Sequence, residues 1–243
     1  MLIIRSILFN IAFYLNTIIL LIVALPTFFM PFWGIVEIAR LWGRINLWLL
    51  RVIAGMKIEI RGREKVPQGP LLVASKHQSA WETFTLVTLF PNPVFILKRE
   101  LQWIPLFGWF TIKARSVPVN RGGGAAALRA MAARARHEIM QNRQLIIFPE
   151  GTRRAAGAEP RYKFGIAHLY ASAGVPCQPV ALNSGLFWPR RSLLRHPGTV
   201  VIEFLDVIPP GLEQGEFMAR LQNEIETATA RLIEEGRRDL SRP

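Results

Sequence analysis

Hydrophobic and polar positions divide this chain into two unlike stretches. From Ser6 to Val36 there is no charged residue, and the apolar run from Ile7 to Leu25 has about the 20 residues needed to cross a bilayer core. Pro26 and Pro31 interrupt it. The next piece, "IVEIARLWGRINLWLLRVIAG", sets Arg40, Arg44 and Arg51 among Trp42, Leu47, Trp48, Leu49 and Leu50. Arg40 and Arg44 share a helical face at i, i+4, which leaves the aromatic and aliphatic side chains for a lipid boundary. Trp with Arg favours an interface over a full span, and positive charge after the first segment puts the body on the cytoplasmic side of the inner membrane. A cleaved leader and a pair of core helices are the competing readings. Residues 1–54 are therefore expected to anchor a body spanning 55–243.

The body alternates two periods. Short apolar runs at 56–60, 71–75, 94–97, 116–119, 144–148, 178–182 and 199–205 read as strands. Helical spacing marks about 81–90, the Ala- and Arg-rich stretch at 123–142, residues 164–173, and an amphipathic segment at about 212–235 carrying Phe217, Leu221, Ile225 and Leu232 on one side. Such alternation predicts an α/β domain: a mixed, largely parallel sheet flanked by helices, behind an N-terminal two-helix membrane anchor. Ligand chemistry in such sheets gathers at the carboxyl ends of the strands.

Composition narrows the partner. The formal net charge is +13, carried by 24 Arg and six Lys against 17 acidic residues. Guanidinium suits phosphate, so an anionic lipid surface, a phosphorylated substrate and a nucleic acid all fit. The single cysteine, Cys177, excludes an intramolecular disulfide and a Cys-rich metal motif, and reads as a small buried hydrophobe. There is no H-E-x-x-H, no G-x-x-x-x-G-K and no G-x-S-x-G, and the only aspartates are Asp206 and Asp239. These absences argue against a zinc site, a nucleotide loop and a serine nucleophile elbow.

Each strand end carries a basic or titratable group: Lys76-His77, Lys98-Arg99-Glu100, Asn120-Arg121, and "PEGTRR" from Pro149. His77 and Glu82, five residues apart across a strand-to-helix junction, have the spacing for a carboxylate to return to an imidazole and hold its tautomer. A helix-capping or surface histidine is the plain alternative. The Pro-Glu-Gly turn offers backbone N–H groups, Thr152 and Arg153 to a phosphate, with Glu150 orienting the loop. Arg121, followed by three glycines, offers a second anion site or a solvated arginine.

The ordered set "KHQSAWE", "LKRELQWIPLFGW", "VPVNR", "FPEGTR" and "GVPCQPVAL" resembles the 1-acylglycerol-3-phosphate acyltransferases over about residues 55 to 205. The resemblance implies His77 as catalytic base and Glu82 as its acidic partner. It implies Lys98, Arg121, Glu150, Gly151, Thr152 and Arg153 for the acceptor phosphate, and Val175, Pro176 and Pro179 for acyl-donor binding or packing. The family pattern ends in Asp where this chain has Glu82, one methylene longer. The implied reaction joins lysophosphatidic acid to the acyl group of acyl-CoA or acyl carrier protein, giving phosphatidic acid without cofactor, metal or nucleic acid, on anionic membrane lipids. Alternatives are another lysolipid such as lyso-ornithine lipid, hydrolysis of the thioester, and a non-catalytic basic membrane-binding module.

Overall fold

The computed structural model describes residues 1–120 and 122–240. Seven strands form one sheet: β1 (Met56–Arg61), β2 (Leu71–Ser75), β3 (Pro93–Lys98), β4 (Val117–Val119), β5 (Gln144–Ile147), β6 (Cys177–Leu182) and β7 (Gly198–Phe204), in the order β1-β7-β6-β2-β5-β3-β4. Every neighbouring pair is parallel except β6 with β7, which is antiparallel. The expected mixed, largely parallel sheet is thus present. Its central strand shows why the apolar runs are continuous: all five residues of β2 are buried. Leu72 and Ala74 enter one core, Leu71 and Val73 the other. Period-two alternation feeds two apolar faces at once.

Helices cover both faces. On one side, α5 (Gly124–Met140), α6 (Gly165–Ala173) and α8 (Gln214–Leu240) bring Met131, Ala135, Ile139, Tyr170, Phe217, Leu221 and Ile225 against the sheet. On the other lie α3 (Trp81–Leu89) and the N-terminal α1 (Leu2–Val23) and α2 (Trp33–Leu49), with Phe9, Trp81, Phe84 and Trp188 in a shared core. Two short helices, α4 (Phe107–Lys113) and α7 (Ser184–Phe187), have no counterpart in the sequence pattern. At α4 the chain folds back so closely that a Cβ on Gly108 would lie 2.1 Å from the carbonyl oxygen of Gln102, a position only glycine can fill.

The two-helix anchor needs correcting. Among the described residues one segment, Leu2–Phe29, is long and apolar enough to cross a membrane by length and composition. The second helix has 17 residues, bears Glu37, Arg40 and Arg44, and packs on α3. Gly43 permits that approach, since a Cβ there would stand 2.5 Å from the Phe84 carbonyl oxygen. The Arg40 guanidinium bonds to Glu37 and to the Phe90 and Pro91 carbonyls, tying α2 to the end of α3. Polar residues that looked like an interfacial face thus include one docked on the body.

Candidate active site

The carboxyl ends of β2 to β6 converge on one edge of the sheet. There β2 runs into Lys76-His77, β5 into Phe148-Pro149-Glu150, β3 ends at Lys98, and β6 leads to Asn183-Ser184. At the exit of β2, Lys76 N–H still donates to the Val180 carbonyl at 2.9 Å. The chain then turns into α3, whose first turn carries Glu82.

Glu82 is fully buried and saturated with donors. Its Oε1 accepts from the backbone N–H of Gln78 (2.6 Å) and Ser79 (2.7 Å) and lies 2.8 Å from His77 Nδ1. Its Oε2 accepts from the hydroxyls of Ser79 (2.9 Å) and Ser184 (2.8 Å). Burial pushes this carboxyl upward, but the His77 bond and charge and the Ser79 N–H outweigh it, so its pKa falls below the ordinary value. An ionised carboxylate only accepts. The hydrogen between it and the imidazole therefore sits on Nδ1, so that in the neutral ring it is Nε2 that has the lone pair. The longer side chain of a glutamate thus reaches the ring at 2.8 Å.

The ring itself is held flat. It stacks on Phe148 with centroids 3.9 Å apart and planes 15° from parallel, and its side chain is 15% exposed. The turn around it is stapled from both sides: Arg154 N–H donates to the His77 carbonyl (2.8 Å), and Gly185 N–H to Gln78 Oε1 (2.9 Å).

The Pro-Glu-Gly segment forms the expected tight turn, with Gly151 N–H donating to the Phe148 carbonyl at 2.8 Å. Gly151 has φ +65°, the left-handed conformation that glycine adopts without strain. Glu150 is buried, and its Oε1 accepts from Lys76 Nζ at 3.0 Å, so its bond runs into the scaffold. Burial drives its pKa up, against the Lys76 ammonium. Thr152 and Arg153 are exposed beyond the turn. Lys98, half exposed, lies 3.4 Å from Glu100.

A cavity of about 1000 Å³ opens at this edge, and His77, Lys98, Glu150, Gly151 and Thr152 line it. Most of its wall is apolar, drawn from β3, α4, α5, and also from α1 and α2 through Leu20, Leu21, Ile35, Ile38 and Trp42. Glu82 stands behind His77. Arg153, Val175, Pro176 and Pro179 lie outside the lining. Val175 packs in the core under α6, the Pro176 carbonyl accepts from Leu72 N–H, and Pro179 sits beside Ala74 in the sheet. Arg121 lies outside the described residues. Cys177 is fully buried, which pushes its thiol up and leaves it un-ionised. Ser184 was missed by sequence reasoning: a lone serine after a strand carries no pattern, and only the fold brings it to Glu82.

The arrangement places an imidazole on the wall of a largely apolar cleft, beside the tight turn at Gly151. Comparison with known proteins follows the same line. The sequence model of the family described as Acyltransferase matches residues 57–183. The 1-acyl-sn-glycerol-3-phosphate acyltransferase of Pseudomonas aeruginosa is 37% identical over 72% of this chain and 67% of its own length. The coconut (Cocos nucifera) protein of that name is 31% identical over 68% of this chain, and the match spans just 53% of its length. The lyso-ornithine lipid O-acyltransferase of P. aeruginosa is 29% identical over 74% of this chain and 76% of its own. The crystal structure of the lysophosphatidic acid acyltransferase PlsC from Thermotoga maritima superposes with a TM-score of 0.77, covering 96% of this chain and 99% of that one at 21% identity, a likeness of fold. With the family match spanning more than half of the 243 residues, this chain belongs to the acyltransferase family.

Proposed function

We propose that the chain transfers an acyl group from acyl-CoA or acyl carrier protein to the sn-2 hydroxyl of 1-acylglycerol-3-phosphate, giving phosphatidic acid. The observation that carries this reading is the His77 Nδ1–Glu82 contact at 2.8 Å in a ring that lines a largely apolar cavity, which supports Nε2 as the base. Nε2 takes the hydroxyl proton while that oxygen attacks the thioester carbonyl. The tetrahedral intermediate expels the thiolate, and the imidazolium returns the proton to sulfur. Glu82 keeps the ring oriented and offsets its transient positive charge. A thioester is already activated, so direct transfer needs no acyl-enzyme.

The acceptor phosphate sits by Lys98, Thr152, Arg153 and the Gly151 turn; the resemblance assigns it Arg121 too, outside the described residues. Glu150 holds that turn from inside. Val175, Pro176 and Pro179 act through packing, keeping β6 against β2. Residues 1–54 form the membrane-anchoring part, with α1 embedded from the cytoplasmic face of the inner membrane and α2 joining it to the body at 55–243. Anionic headgroups meet the arginine-rich surface. Because α1 and α2 also wall the cavity, an acyl chain passes between lipid and cleft without crossing water.

The likeness to a lyso-ornithine lipid acyltransferase keeps a second acceptor in view. Lys98, on the wall of the same cavity as His77, favours the phosphate-bearing one. A mass-spectrometric screen of purified protein against lysophosphatidic acid, other lysophospholipids and lyso-ornithine lipid, each with acyl-CoA and acyl carrier protein, separates them. Phosphatidic acid is the expected product. Acylation of lyso-ornithine lipid alone, or release of free fatty acid alone, would displace the proposal.

A further inference from the structure

Lys76 precedes the proposed base and is 2% exposed. Its ammonium donates to Glu150 Oε1 at 3.0 Å and to both carboxylate oxygens of Glu226, on α8, at 2.7 and 3.0 Å. The Tyr162 hydroxyl closes the cluster by donating to Glu226 Oε1 at 2.8 Å. An ammonium is costly to withdraw from water, and a well-packed apolar side chain would serve mere packing as well or better. What the charge supplies here is a directional tie between segments distant in sequence: the exit of β2, the turn after β5, and α8.

That tie has a definite geometry. Lys76 is covalently next to His77, and Glu150 lies within the turn that carries Gly151, Thr152 and Arg153. The Arg154 N–H to His77 carbonyl bond joins the same two segments, so they are linked twice. We propose that Lys76 is a positioning residue that fixes the base relative to the phosphate-side turn, with Glu226 of α8 as the outer anchor. The inference rests on the reading of His77 as the base. A displacement of about 1 Å between base and bound hydroxyl is enough to cost on the order of a hundredfold in rate.

The charge balance provides a readout that simple packing does not. One ammonium faces two carboxylates and a phenol. Removing the ammonium leaves Glu150 and Glu226 facing each other, and each carboxyl then favours its protonated form more strongly. Lys76→Met is therefore least impaired at low pH and loses kcat as pH rises, because repulsion opens the cluster. Removing one carboxylate as well, in Lys76→Met/Glu226→Gln, relieves that loss.

The experiment measures kcat and lysophosphatidic acid KM across the neutral to alkaline range, on the full-length protein in mixed micelles. In Lys76→Met, kcat falls on the order of ten- to a hundredfold at the alkaline end while KM changes less than about threefold. The double variant recovers most of the alkaline loss, and Lys76→Arg, which keeps the charge, stays near wild type. A kcat in Lys76→Met within about twofold of wild type at every pH overturns the inference. So does a loss that is equal at all pH values and unrelieved in the double variant, which would mark a packing role. Should Lys76→Met fail to fold, Glu226→Gln, altered at a partly exposed carboxylate, decides: kcat falls about three- to tenfold, and an unchanged kcat overturns the inference. His77→Ala, run in parallel, separates the two claims. If it stays active, the base assignment fails and takes this inference with it; if it is inactive while Lys76→Met behaves as wild type, only the positioning role fails.

Discussion

The two sides of the candidate site are built in opposite ways. On the base side, Glu82 is buried and takes donors on both oxygens, and the imidazole is clamped between that carboxylate and Phe148. On the cation side, Arg153 and Thr152 stand exposed, and Lys98 is half exposed beside Glu100. Proton transfer demands a fixed atom, whereas a phosphate that arrives with its own charge can gather flexible cations around it. Under the proposed function, rigidity is concentrated on the side of the base. Adaptability is left on the side proposed for the headgroup.

That contrast predicts effects on turnover from one side and on binding from the other. His77→Ala should show the largest change, a kcat loss on the order of a hundred- to ten-thousandfold with membrane partitioning and fold retained. Turnover near wild type would remove the base side from the chemistry. Glu82→Gln keeps the volume and allows the two serine hydroxyls to rotate, yet deletes the charge facing the ring. Its expected kcat loss is on the order of a hundredfold with little change in lysolipid KM, checked by initial-rate kinetics. Arg153→Ala should instead raise the KM for the phosphate-bearing acceptor by about tenfold and leave kcat within a few-fold. A kcat effect equal to that of Glu82→Gln would erase the distinction between the sides.

The smallest effect belongs to Ser184→Ala, which removes one of the donors to Glu82 Oε2. It should cost about 1 kcal/mol of stability and lower kcat only a few-fold. The pH dependence sharpens the same point. The pKa of Glu82 is lowered in the folded state, so its ionised form contributes stability above the unfolded-state value near 4.3 that is lost as pH falls through the folded value. Thermal melts should show the wild-type melting temperature dropping in acid below about pH 4.3, with a shallower drop in Glu82→Gln. Parallel curves would mean that the carboxylate is not the stabilising ion described above.

What could be read from the sequence follows from which forces act locally. "LLVAS" and "QLII" are legible as strands because burial on both faces makes them continuously apolar, and α5 is legible because Met131, Ala135 and Ile139 repeat at helical spacing. The short helix α4 was not legible: Leu106 at φ +62° and the tight approach at Gly108 answer to tertiary contacts, not to local propensity. The His77–Glu82 pair was legible because a strand exit and a first helical turn lie close in sequence. Ser184 and Glu226 were not. One is a lone polar residue after a strand, the other sits on what reads as the solvated side of an amphipathic helix, and both meet their partners only through the sheet order.

The antiparallel pairing of strands β6 and β7 has a topological effect that reaches the N-terminus. Since β1 follows the direction of β7, it runs opposite to the five strands from β6 to β4, and its first residue, Met56, lies at the edge where those five finish. The polypeptide upstream of Met56 is therefore delivered to the rim that carries His77 instead of the far side of the sheet. One reversed strand direction makes the apolar leading helices the roof of the cleft, so that the segment long enough to cross a bilayer and the shape of the cavity are inherited from the same turn of the chain.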